Sequence, residues 1–230
     1  MHIDILCLFP DFFRGPLDVS MIKRAIDKGI LAINIVDIRN FSTERFRKVD
    51  DRPYGGGPGM VMMAEPVAKA IRASKKPNSK TIYLSPQGKP LTAQKARELA
   101  KEEHLILLSG HYEGIDQRVI DSDVDEEISI GDYVLTNGGL AALVLLDAVA
   151  RFVPGVLGDE DANLYDSFER GLLDWPHYTR PDTFEGVEVP SVLLSGDHAK
   201  VAEWRRLKAE EKTREIRPDL WERYKVKLEN

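Results

Sequence analysis

Over the first 150 residues, apolar positions come in short runs separated by segments of helical period. IDILCLF (3–9) is apolar at all but one position and stops at Pro10-Asp11, which predicts a buried strand. Residues 20–28 have helical spacing, with Ser20 as the expected N-cap and Gly29 as the stop. LAINIVDI (31–38) and TIYLS (81–85, before Pro86-Gln87-Gly88) predict two further strands. Helices are expected over 65–74, with Pro66 in the first turn, and from a Thr92 cap to Lys101. Two more strands, LILLS (105–109) and EISI (127–130), each run into a glycine, Gly110 and Gly131. GGLAALVLLDAVARF (138–152) is apolar on nearly every side and predicts a helix buried all round. Strands alternating with helices predict an α/β fold whose mostly parallel sheet is covered on both faces.

Pro154-Gly155 ends this pattern, and residues 156–182 show little periodicity. An irregular stretch of that length points to function or to a linker. From Gly196 onward two helices are expected, broken at Arg217-Pro218. The predicted organisation is a main domain (1–160), a partly mobile linker (161–175) and a small helical domain (176–230).

Charge sharpens the picture. The net charge is −6, yet residues 200–230 carry ten Lys or Arg against seven Asp or Glu, a net of +3, leaving −9 for the first 199 residues. Such a tail is compatible with a phosphate-binding face, although a solvated helical surface is the plainer reading. Cys7 is the only cysteine, so a disulfide framework and a thiolate metal cluster are excluded. The opening segment lacks a basic leader and carries Asp4 inside its apolar run, arguing against a signal peptide and for a cytoplasmic location. The uncharged run 140–146 is too short to cross a bilayer, so no membrane partner is expected.

Strands that end in glycine loops put backbone groups within reach of a ligand, and in open α/β sheets ligands sit beyond the carboxyl ends of the strands. The site is therefore expected around Gly110 and Gly131. GHYEGIDQR (110–118) gathers His111, Tyr112, Glu113 and Arg118, but no second His or Cys stands at ligand spacing, which argues against zinc. Taken singly, Glu113 reads as a salt-bridge partner of Arg118, Arg151 as an i,i+4 partner of Asp147, and Asp166 as a turn residue. His177 and Arg180, in WPHYTRP, have similarly plain readings. RPYGGGPGM (52–60) is neither a Walker loop nor a dinucleotide fingerprint, and reads equally as a surface loop or as a backbone that closes on a phosphate or base.

Taken together, DRPYGGGPGM, LSPQGKPLT, GHYEGIDQR, ISIGDYVL, ARFVPGVLG and DSFERGLLDWPHYTRP resemble, in this order and over essentially the whole chain, the bacterial tRNA (guanine-N1)-methyltransferases of the SPOUT superfamily, which modify guanosine 37. The resemblance implies a deep trefoil knot, a feature nearly absent from other folds, and a homodimer with active sites shared between subunits. It implies S-adenosylmethionine bound by Tyr83, Leu84, Ser85, Pro86, Gly110, Tyr112, Glu113, Ile130, Gly131, Asp132, Tyr133, Val134, Leu135 and Gly138. Asp166 and Arg151 would do the chemistry, with Glu113 the next candidate base. Gly55, Gly56, Gly57 and Gly59, with Arg151, His177, Arg180 and the basic tail, would meet the tRNA. Magnesium is the one further cofactor considered. A ribose 2′-O-methyltransferase and a non-catalytic RNA-binding protein of the same fold are the alternatives. Two departures stand out: YVLTNGGLAA where the family usually reads YVLTGGELPA, and GHYEG where GRYEG is commoner. Asparagine tolerates positive φ, so Asn137 is expected to preserve the turn.

Overall fold

The computed structural model describes residues 1–158 and 162–229. The chain divides into two compact units, 1–160 and 161–230, so the expected boundary falls on residues outside the described ones.

The first unit is built on five parallel strands: β1 (His2–Cys7), β2 (Ala32–Asp37), β3 (Ser79–Pro90), β4 (His104–Ser109) and β5 (Glu126–Ser129), in the spatial order β2-β1-β4-β3-β5. Alternation along the strands sorts their side chains into two cores. Ile3, Ile5, Leu105 and Leu107 face helices α1 (Ser20–Asp27), α3 (Ala93–Leu99) and α5 (Gly139–Ala150). Leu6, Leu8, Ile106 and Leu108 face α2 (Ala64–Ser74) and α4 (Gln117–Asp123). Both faces are thus covered, as a parallel sheet requires.

At the amino ends of the strands a line of polar side chains crosses the sheet, with Asp4 and His104 buried at its centre. Asn34 donates to Asp4 at 3.1 Å, the His104 Nε2 lies 3.0 Å from the other Asp4 oxygen, and Ser79 sits 2.7 Å from Nδ1. The Asp4 that interrupts the first apolar run is therefore a satisfied buried carboxylate.

Three local expectations change and one holds. Ser20 does not cap α1: it lies inside the helix, Val19 is the N-cap, and no side chain fills the cap. Thr92 does cap α3, accepting from the Lys95 N–H at 3.1 Å. The helix α5 is not buried all round, because Leu140 and Val144, one turn apart, are 45% and 47% exposed. β3 does not end at Ser85. Leu84 and Lys89 both pair with Ile128, so residues 85–88 leave the ladder and return to it. Gly88 makes the return possible, since a Cβ there would lie 2.5 Å from the Ile128 nitrogen.

The second unit contains a two-strand ladder (Thr183–Phe184 with Val187–Glu188) and two long helices, α6 (His198–Ile216) and α7 (Pro218–Glu229). Pro218 separates the helices, as its missing N–H demands. The expected linker 161–175 begins outside the described residues, and its described part packs within this unit. The Leu173 N–H reaches the Thr213 hydroxyl at 2.8 Å and Leu172 is buried, so this part is anchored on α6. Among the described residues no helix is long and apolar enough to cross a membrane.

Candidate functional site

Beyond the carboxyl ends of β3, β4 and β5 lies a cavity of about 270 Å³, lined by residues 83–86, 110–114, 128–131 and 133–138 with Ala141. This is where the sheet exposes backbone groups to a ligand. Of the residues expected at a cofactor pocket, all line this cavity except Asp132, whose neighbours Gly131 and Tyr133 do. His111, Gly114, Thr136 and Asn137 also line it, although residue types alone had singled out only His111 among them.

Close backbone approach shapes the cavity. The loop 133–138 closes on the loop after β4, and the Gly138 N–H donates to the Gly110 carbonyl at 2.8 Å. A Cβ on Gly138 would lie 2.8 Å from the Gly110 nitrogen, and one on Gly110 would lie 2.9 Å from the Tyr83 ring. Neither position accepts a side chain. Gly131 has φ 152, and its N–H and carbonyl both bond the Ser129 hydroxyl, at 3.2 and 3.0 Å. Burial, with Glu127 adding to it, pushes the Tyr83 phenol up to about 12, so this wall stays neutral.

The rim holds the polar groups. Tyr112 takes φ 59 and lies edge-on to His111, with ring centroids 4.7 Å apart, while Phe9 meets His111 at 5.2 Å. Burial, reinforced by the Arg39 charge, holds the His111 imidazole below its ordinary range. Arg118 does not pair with Glu113. It forms a two-pronged bridge to Asp116, at 2.9 and 2.7 Å, because both belong to the N-terminal turn of α4. The exposed Glu113 carboxylate faces the cavity.

The GGGPG loop is fastened to this rim, a pairing that no local pattern announced. The Glu113 N–H donates to the Met60 carbonyl at 3.0 Å, Met62 to Gly114 at 2.9 Å, and Asp116 to Met62 at 3.0 Å. Gly59 abuts the Glu113 side chain, while Gly55, Gly56 and Gly57 face open space, all four with positive φ. Asn137 is not among the positive-φ residues. Its side chain instead accepts from the Gly139 N–H at 2.8 Å, occupying the space a side chain at 139 would need.

Arg151 is exposed at the C-cap of α5 in the first unit, its N–H donating to the Asp147 carbonyl at 3.3 Å. Asp166 belongs to the second unit, half-buried in a cavity of about 430 Å³ that Trp175, Arg205 and Tyr224 also line. His177 lies 2.7 Å from Asp174 and tilts against Trp175, and with Arg180 it lines another groove of that unit. The structure thus gathers the cofactor set and the glycine loop in one unit, and Asp166, His177 and Arg180 in the other.

A model of the family described as tRNA (guanine-1)-methyltransferase TrmD matches residues 1–223. The tRNA (guanine-N(1)-)-methyltransferase of Protochlamydia amoebophila is 66% identical over 96% of this chain and 99% of its own length. The proteins of that name from Chlamydia pneumoniae and Chlamydia caviae are 59% identical over 99% and 100% of this chain. The chain spans just under two thirds of those two relatives, 63% and 64% of their length. It belongs to the tRNA (guanine-1)-methyltransferase family.

Proposed function

We propose that this chain transfers a methyl group from S-adenosylmethionine to N1 of guanosine 37 in tRNA, beside the anticodon. The observation that carries this reading is the glycine-walled cavity at the carboxyl ends of β3, β4 and β5, in a chain that matches the family from residue 1 to 223. Its walls suit a nucleoside cofactor. Leu84, Ile130, Leu135 and Ala141 supply apolar surface, and the backbone at Gly110, Gly131 and Gly138 comes close without a Cβ in the way. When bound, S-adenosylmethionine supplies an electrophilic methyl on a good leaving group, so no protein nucleophile is needed.

The chain's own work is proton and charge management. Guanine N1 carries a proton at neutral pH, and that proton must leave as the methyl arrives. Asp166 accepts it, and Arg151 stabilises the negative charge that develops at O6. A guanidinium suits that task because it stays charged when desolvated and donates two hydrogen bonds. Glu113 is the one carboxylate among the residues that line the cavity, and is the alternative base. Arg151 lies in the first unit and Asp166 in the second, and the proposed site is shared between two copies of the chain. The exposed Leu140 and Val144 on α5, with exposed Phe9 and Phe12 on the same unit, are apolar surface suited to that dimer. The close passage of Gly138 by Gly110, and the excursion of residues 85–88, support the trefoil knot. Among the described residues there is no group of three His, Cys, Asp or Glu side chains that could hold a metal ion.

The test is methyl transfer from labelled S-adenosylmethionine to a tRNA transcript with guanosine at 36 and 37. The parent transcript should be methylated and one altered at 37 should not. Equal labelling of the two would overturn the assignment of position 37.

A further inference from the structure

The two most exposed large hydrophobic side chains among the described residues, Tyr54 at 101% and Phe46 at 86%, stand on one stretch of chain outside the cavity. Residues 39–54 also carry five Lys or Arg against three Asp or Glu, within a portion of the chain that is otherwise acidic. Isolated exposed apolar residues are ordinary. These two are presented rather than merely left out. Phe46 and Arg47 are consecutive residues with φ of 60 and 54, a conformation that non-glycine residues rarely adopt. The turn that holds them is built: Ser42 donates to the Lys48 carbonyl, the Arg47 N–H to Glu44 at 3.1 Å, and Val49 beside them is fully buried.

The charges are equally specific. The Arg45 guanidinium lies 4.7 Å over one face of the Phe46 ring, and the ring's exposure leaves the other face to solvent. Lys48 is neutralised by Asp51 at 3.2 Å. Arg47 has only the neutral Asn40 amide as partner, at 3.1 Å, and among the described residues neither Arg45 nor Arg52 pairs with a carboxylate. Two arginines without a carboxylate partner, a third beside Asp51, and two open rings are the composition of a single-stranded nucleic-acid surface, where bases stack and guanidinium groups meet phosphates.

The surface is continuous with the site. Asp50 and Asp51 pair with Met62 and Val61, and Met62 in turn bonds the cavity rim at Gly114 and Asp116. A groove lined by Arg52, Tyr54, Met62 and Arg118 lies along this connection. Resting on the reading of the chain as a tRNA methyltransferase, we infer that residues 45–54 hold the unpaired nucleotides flanking the target guanosine. Phe46 and Tyr54 are the stacking platforms, and Arg45, Arg47 and Arg52 neutralise phosphates. The exposed rings favour RNA over an acidic protein partner, since bases stack on open aromatic faces and carboxylates do not.

The experiment measures binding of the full chain, by fluorescence anisotropy, to a tRNA anticodon stem-loop and to a fully paired duplex of equal length. Phe46→Ala should weaken stem-loop binding by about tenfold, the size expected of one lost base stack. Phe46→Trp should bind within about twofold of the parent, and S-adenosylmethionine affinity should be unchanged in both. Arg47→Ala should lower the slope of log affinity against log salt by about 0.7, one single-strand phosphate contact. Stem-loop binding by Phe46→Ala within twofold of the parent, with methylation intact, would overturn this surface and leave the enzymatic reading standing. An equal loss on the duplex would overturn stacking. A parent that neither binds the stem-loop nor methylates tRNA would remove the enzymatic reading and this inference together.

Discussion

Gly138 and Gly110 meet so closely that a single methyl group decides whether the cavity can form. The colliding atom is backbone, so the clash cannot be relieved by turning a side chain. Overpacking of this kind costs about 1–3 kcal/mol, which is roughly five- to 150-fold in affinity. Gly138→Ala should therefore lose S-adenosylmethionine affinity by that factor while the protein remains folded, as calorimetry and circular dichroism would show. Undiminished affinity would place the cofactor elsewhere. At this scale the sequence was informative about where glycine is needed and silent about why. Asn137 is the clearest case: its residue type suggested a left-handed turn, whereas its side chain caps the Gly139 N–H. Only the backbone path reveals that choice. The same path makes the two departures at 137 and 139 one change, because the asparagine oxygen fills the space of a side chain at 139.

Among the elements, the five strands and their parallel pairing were legible because continuous apolar runs have few other uses. What escaped was non-local. The return of β3 after residues 85–88, and the fastening of Met60 and Met62 to the rim at 113–116, depend on partners far away in sequence. So does the polar line across the strand ends. Burial holds the His104 imidazole below its ordinary range, with the Asp4 carboxylate opposing. An unfolded histidine titrates near about pH 6.5, so the unfolded chain takes up the proton first as pH falls. The stability tied to neutral His104 is therefore complete above that pH and is lost as pH drops below it towards the folded value. His111, held low by burial and Arg39, acts in the same direction. The urea midpoint should be lower at pH 5.5 than at 7.5, and His104→Gln should narrow the difference. A midpoint independent of pH in the parent would contradict this. For α5, uniform apolarity suggested complete burial, but Leu140 and Val144 are exposed, and the proposed dimer would cover them. Val144→Glu should shift sedimentation towards monomer and abolish methyl transfer while leaving the monomer folded. A dimer of unchanged stability would move the interface elsewhere.

For the whole molecule, charge was the most misleading quantity and its distribution the most useful. A net −6 discourages a nucleic-acid partner, yet it is the sum of an acidic body, a +3 tail and a locally basic turn at 39–54. The loss of periodicity after Gly155 predicted a main domain over 1–160, but the anchoring of Leu172 and Leu173 on α6 was not expected, because irregular sequence carries no signal of what it packs against. The central claim is the proposed role of Asp166 as the acceptor of the guanine N1 proton. Nucleoside analysis of tRNA after a single turnover tests it most directly. The parent should produce 1-methylguanosine, and Asp166→Asn, which keeps the size of the side chain but cannot take the proton, should produce it at least about 10²-fold more slowly while binding S-adenosylmethionine normally. Methyl recovered on a ribose oxygen, or an Asn variant within a few-fold of the parent, would contradict the account.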